Sequence, residues 1–220
     1  MSKERLAEII DDLPYSVIKS GEMEELIAFA IEQAERVQEL EKEVQQEKRD
    51  RIVERAKEDV EEIQEEMTGW SPQKKGNYTF RERVTEGEFI VDKRKRTVVS
   101  LIRGTIGGNA GLILERGIAK CAPGDCFNVH IGKAISLRRA LGLDVPDEYI
   151  NAPQPTEVRV GDIIRWKTSY RNYRVDKHRK DERYNFTDMG SGQRFYGMEY
   201  RNIETVVNII DDSREDEEIR

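Results

Sequence analysis

Between Arg165 and Arg183 the chain sets eight cations, Arg165, Lys167, Arg171, Arg174, Lys177, Arg179, Lys180 and Arg183, against three acids, Asp176, Asp181 and Glu182. Trp166, Tyr170 and Tyr173 are interleaved with them, and Tyr184 and Phe186 follow. Cations neutralise phosphates and release counterions, while aromatic faces stack on unpaired bases, so this pattern suits a nucleic-acid surface. Set on a small β-barrel, the segment reads as a long basic loop between strands. Two other readings compete: a solvated hairpin whose Tyr and Trp pack inward, and a surface for a protein partner. Lys93, Arg94, Lys95 and Arg96 either extend the same patch or form a solubilising flank at the entry to a strand.

Other reactive residue types give weaker patterns. Cys121-x4-Cys126-x3-His130 has the residue types of a zinc site, but the spacing is loose and a fourth ligand is missing nearby. The second histidine, His178, lies in the cationic segment, which opposes a divalent metal, so two free cysteines flanking a turn are the expected state. Nucleophilic catalysis needs a positioned base, and neither histidine has an acid at helical spacing to orient it. Gly104-x-x-Gly107-Gly108-x-x-Gly111 lacks the Gly-Lys-Ser/Thr ending of a phosphate loop and leads into a strand, so it reads as a hairpin loop. No catalytic residue, metal or cofactor is assigned, and the expected class is non-enzymatic.

The charge layout frames these candidates. Residues 1–68 hold 10 Lys/Arg and 21 Asp/Glu, residues 69–210 hold 25 and 17, and the last ten hold 2 and 6. A basic body therefore lies between two acidic ends, which directs attention to polyanionic partners. One hypothesis is that the acidic ends cover the body in cis and weaken non-specific binding; the sequence leaves that open. Mimicry of DNA by the acidic helix is disfavoured, because Glu32–Arg36 and Glu47–Arg51 have the i,i+4 pairing of an ordinary solvated helix. No stretch approaches the ~18 apolar residues of a membrane-spanning helix. Residues 1–12 lack a secretory apolar core, so no membrane association is expected and a cytoplasmic location in a host cell is.

Positioning these residues calls for an α+β protein in six segments. Residues 1–68 read as an acidic helical, coiled-coil region, with a short helix over 3–11 and a second from Gly21. From Glu22 to Met67 there is no Gly or Pro, and Leu26, Ala30, Val37, Leu40 and Val44 keep an a/d spacing. After the charged run 47–51 a new stripe follows at Ile52, Ala56, Val60, Ile63 and Met67. Such a seam must be covered by a second copy or by the body of the protein, and a homo-oligomer is expected. A lone solvated helix and a hairpin folded near 47–51 are the alternatives.

Residues 69–77 read as a linker and 78–145 as a ββα domain. Its parts are a strand at 97–102, a returning strand at 112–119 with Gly117 as a bulge, and a helix ending at Leu141. Gly142 stands at C′, and Leu143 can make the apolar contact of a Schellman end. Residues 146–157, with Pro146, Pro153 and Pro155, form a connector. A small SH3-like β-barrel is expected over 158–210 and a disordered acidic tail over 211–220.

Residues 96–165 carry a resemblance. Arg96-Thr97-Val98-Val99, the run Gly117 to Asn128, Ile131-Gly132-Lys133-Ala134-Ile135, Arg139-Ala140-Leu141-Gly142-Leu143 and Ala152-Pro153-Gln154-Pro155 resemble a family of small proteins encoded by phages and prophages of Gram-positive bacteria. The resemblance implies a phage setting and no chemistry, and the helix at 22–67 looks like an addition to the usual pattern. The expected role is a phage protein of the early-gene type that binds nucleic acid, DNA or RNA. The alternative is an adaptor or inhibitor that binds a host protein.

Overall fold

The run without Gly or Pro forms one helix, α1 (Gly21–Thr68), in the computed structural model, unbroken across the charged stretch at 47–51. The structure describes residues 21–68, 74–75, 78–79, 85–105, 110–179, 183–199 and 203–214; the expected helix over 3–11 lies outside them. No helix among the described residues is long and apolar enough to cross a membrane. The chain divides into two units, Met1–Glu47 and Lys48–Arg220.

In the first unit the a/d stripe is largely uncovered. Val37 is 46%, Leu40 51% and Val44 61% exposed. Ala30 is half-buried, and the side chain of Leu26 lies outside the described residues.

In the second unit the second stripe has a different destination from the expected seam. Ile52, Ala56, Val60 and Ile63, with Met67, are buried in one core with Ile102, Ile131, Ala134, Leu137 and Tyr149. Spacing of three and four residues puts them on one helix face, and that face is covered by the body of their own chain. Burial of such Ile, Val and Met side chains is worth about 1.5–3 kcal/mol each, which pairing with a second copy would forfeit. Asp59 joins this face through a bidentate pair with Arg138, whose Nε lies 2.5 Å from Oδ2.

Short strands β1 (Lys74–Lys75) and β2 (Tyr78–Thr79) pair with each other inside the expected linker and just beyond it. A three-stranded antiparallel sheet follows, in the order β3 (Thr85–Asp92), β4 (Thr97–Gly104), β5 (Ile113–Lys120). Helix α2 (Val129–Ala140) packs on it. The Asn128 side chain accepts from the amides of His130 (3.0 Å) and Ile131 (3.1 Å), which sets the start of α2 four residues past the Pro123–Asp125 turn. At its end Gly142 has φ 64°, Leu143 N donates to Arg138 O and Gly142 N to Arg139 O, the expected Schellman pattern.

Gly117 is not the bulge. The register shift lies at Ile102/Arg103, while Gly117 pairs with Ser100. A Cβ on Gly117 would stand 1.9 Å from the Ser136 carbonyl oxygen, so this glycine is what lets α2 approach the sheet.

After the short helix α3 (Asp147–Ile150) comes a five-stranded antiparallel sheet. Its order is β10 (Val207–Asp211), β6 (Ile163–Trp166), β7 (Asn172–Arg179), β8 (Arg183–Asp188), β9 (Arg194–Glu199). Its core is Val158, Ile164, Val175, Tyr184, Phe186, Ile203 and Val207. Among the described residues β9 and β10 are the two edges, and no ladder between them closes a barrel. The region expected as a disordered tail begins inside this fold. Asp211 ends β10, and Asp211, Asp212 and Ser213 are buried.

Candidate nucleic-acid interface

The basic segment is not a loop. Its central eight residues are β7, the middle strand of the five-stranded sheet, with the end of β6 and a turn before it and the start of β8 at Arg183. Successive side chains of a strand point to opposite faces, so the interleaving of aromatics with cations is the signature of an amphipathic strand. Tyr173 packs on the core and meets Phe195 edge-on at 6.0 Å. Trp166 meets Phe186 edge-on at 5.9 Å, and Tyr184 stacks on Phe186. These aromatics hold the sheet together. Tyr173, expected to stack on bases, is engaged in that packing.

The opposite face carries the charge. Register aligns Ile163, Arg174, Thr187 and Arg194 in one row across β6, β7, β8 and β9. Arg165 stands in the neighbouring row, between Asn172 and Asn208. Tyr196, two residues beyond Arg194 and alternating with the inward Phe195, is 70% exposed. Tyr170, in the turn before β7, is 98% exposed. Arg194 and Tyr196 escaped the sequence reading, which stopped at the denser cation run; the alternation Arg194-Phe195-Tyr196 was the available signal.

Several of these cations already hold a partner. Arg174 Nε donates to Asp176 Oδ1 (3.0 Å), and the Thr187 hydroxyl donates to Asp176 Oδ2. Arg165 Nε donates to Asn172 Oδ1 (2.9 Å), Lys167 Nζ to the Thr205 carbonyl (2.7 Å) and Arg171 Nη1 to Asp188 (3.1 Å). Amides of Ser191 and Gly190, with Arg171, hold the Asp188 carboxyl below its usual range. An arginine has five N–H donors, so one such bond fixes the guanidinium in place and leaves donors for a phosphate. Arg183 opens β8 and is half-buried. Lys177 and Arg179 lie on β7 with side chains outside the described residues, and Lys180 lies outside them altogether.

The cluster at 93–96 is the turn between β3 and β4, with Lys93, Arg94 and Lys95 exposed. Lys95 is tied back to Asp92. Arg96 does a structural job. It occupies the left-handed region at φ 53°, and its guanidinium donates to the carbonyls of Pro123 (3.0 Å) and Asp125 and contacts Cys121 Sγ. Lys93 reaches the second basic segment: with Arg174 and Arg214 it lines one cleft of about 230 Å³, whose walls also include Asp176 and Asp211. Burial raises the Asp211 pKa, against hydrogen bonds from Ser213 and the charge of Lys93. The two basic segments therefore meet.

A buried polar cluster stands behind this surface. Arg49, from the charged run of α1, is 2% exposed and pairs bidentately with Asp212, at 2.6 and 2.8 Å. It also donates to the carbonyls of Pro153 and Cys126. Asn128 Nδ2 donates to Asp212 Oδ1 (3.0 Å). Burial alone would raise the Asp212 pKa, but the hydrogen bonds and charge of Arg49 outweigh it and hold the carboxyl below its usual range.

The cysteines and His130 have separate partners. Cys126 is buried beside Asp212, its thiol pKa pushed far up by desolvation, while Cys121 lies against Arg96. His130 Nε2 is 3.3 Å from the Ser213 carbonyl. Among the described residues no three His, Cys, Asp or Glu are grouped to hold a metal ion.

No protein-family model, no curated protein and no solved structure matches this chain.

Proposed function

We propose that the protein is a non-enzymatic nucleic-acid-binding protein of the phage early-gene type, acting in the host cytoplasm as an oligomer held by the first part of α1. Its binding surface is the outward face of the five-stranded sheet together with the β3–β4 turn. The observation that carries this reading is the cleft shared by Lys93 and Arg174, which joins two basic segments about 80 residues apart in sequence. Arg165 and Arg194 extend the cationic face, and Tyr196 and Tyr170 offer exposed rings for stacking. An SH3-like description of the sheet is supported by its order, in which the last strand returns beside the first.

The test is retention on heparin at low salt by the full chain and by a Lys93→Gln/Arg174→Gln/Arg194→Gln variant. Retention that drops in the variant supports the reading, and an unretained parent chain overturns it.

A second reading, a host-protein adaptor or inhibitor, is favoured by an apolar row on the three-stranded sheet. Ile90, Val99 and Ile118 align across β3, β4 and β5, with Ile90 49% and Ile118 43% exposed. Under that reading Ile118→Asp abolishes a stoichiometric complex while the cation variant leaves it intact.

A further inference from the structure

The uncovered stripe of α1 carries more information than its apolarity. Counting Ala30, Val37 and Val44 as position a and Leu26, Gln33, Leu40 and Glu47 as position d, the charged flanking residues are Arg36 and Glu43 at g and Glu41 and Lys48 at e, while the earlier flanking pair is Phe29 at g and Ala34 at e. In a parallel two-stranded coil each g residue faces the e residue five positions later on the other chain. That pairs Arg36 with Glu41 and Glu43 with Lys48, opposite charges in both cases and twice each by symmetry. An antiparallel coil instead faces g with g and e with e. It can place Arg36 against Glu43 or, in a different register, Glu41 against Lys48, but no single antiparallel register forms both pairs. Val at a with Leu at d is the combination that favours two strands over three. Arg36, Glu41, Glu43 and Lys48 are all exposed, as are Val37, Leu40 and Val44.

From this charge complementarity we infer that the occupant of the stripe is a second copy of this chain, parallel and in register. The inference rests on the reading that α1 oligomerises, and it adds stoichiometry, direction and the residues that set them. Gln33 and Glu47 fall at d: the Gln33 layer pairs two amides, which fixes register at some cost in stability, and the Glu47 layer, beside the Glu43–Lys48 pair, sets two exposed carboxylates against each other at the end of the seam.

Sedimentation equilibrium of the full chain over a range of concentrations tests it, with Arg36→Glu, Glu41→Arg, the double variant and a 1:1 mixture of the two single variants. All four positions are exposed, and circular dichroism checks that helix content is retained. The expected result is a two-chain mass for the parent and a dimer about tenfold weaker for each single variant. Affinity returns in both the double variant and the mixture, because each restores opposite charges across the parallel interface. Equal weakening in single and double variants keeps the oligomer but overturns the parallel register. A three-chain mass overturns the stoichiometry. A monomer at every concentration, the outcome if residues 1–20 cover the stripe, overturns the inference and the oligomer with it.

Discussion

Replacing Arg49 by methionine removes the guanidinium that pairs bidentately with buried Asp212, and the cost follows from the groups left without their donor. Asp212 is 4% exposed and would keep, among the described residues, Asn128 Nδ2 and the weak Cys126 thiol as donors, while the Pro153 and Cys126 carbonyls would lose the guanidinium. Breaking a buried, hydrogen-bonded pair from one side costs about 3–5 kcal/mol, because the remaining charge is stranded. The cost depends on pH. In the parent, Asp212 has a depressed pKa, so its contribution is present above the ordinary carboxylate pKa and disappears as pH falls. In the variant, desolvation is opposed by the Asn128 hydrogen bond and the charge of Arg214 without that of Arg49, and the carboxyl takes up a proton at higher pH. The difference between parent and Arg49→Met should therefore be largest near pH 7 and shrink toward pH 4. Urea unfolding at both pH values measures it, and Arg49→Met/Asp212→Asn should recover much of the stability. A penalty under about 1 kcal/mol at pH 7, the size of a surface pair, would refute the reasoning.

Three further outcomes are expected. Gly117→Ala forces a methyl group against the Ser136 carbonyl and should destabilise by about 3 kcal/mol in thermal or urea unfolding; an unchanged midpoint would contradict the close approach. Asp162, fully buried between Arg214 and the Arg159 amide, has its pKa raised to about 6 by burial. The native state therefore binds the extra proton, and stability relative to Asp162→Asn should fall as pH rises from 4 to 6, by on the order of 3 kcal/mol; a flat difference would contradict it. Tyr173→Ala should cost about 2 kcal/mol of stability by removing a ring from the core, whereas Tyr196→Ala should leave unfolding unchanged and weaken single-strand binding; stability changes of equal size would contradict the sorting of rings by face.

Local signals in the sequence carried much of this architecture. The β-branched run at 97–102 became β4, and the Gly142-Leu143 ending closed α2 as its residue types require. The stripe from Ile52 to Met67 was visible as a helix face, but spacing alone does not say whether a second copy or the chain's own body covers it. Charge hid the rest. Arg49 sits in a run of five charged residues and Asp212 in an acidic stretch, so each looks solvated until the fold brings them together across 163 positions. Hydropathy counts both as exposed, and no local pattern encodes their pairing. The same limitation made β7 look like a loop, since its outward residues are charged and its inward ones are aromatics that also suit base stacking.

The pairing of α1 residues with the body also governs how the acidic region can be tested. A truncation at residue 68 would remove Arg49 and the stripe from Ile52 to Met67, and with them part of the core. Substitution of exposed positions in the full chain leaves Arg49 and that stripe in place.

The most direct test of the central claim is fluorescence anisotropy with labelled single- and double-stranded DNA and RNA across a salt series, comparing the full chain with its Lys93→Gln/Arg174→Gln/Arg194→Gln variant. The account predicts binding that weakens with salt, and a log–log slope that is shallower in the variant by roughly one for each phosphate it no longer neutralises. No binding at low salt, or a variant that binds with the parent's affinity and slope, would contradict it.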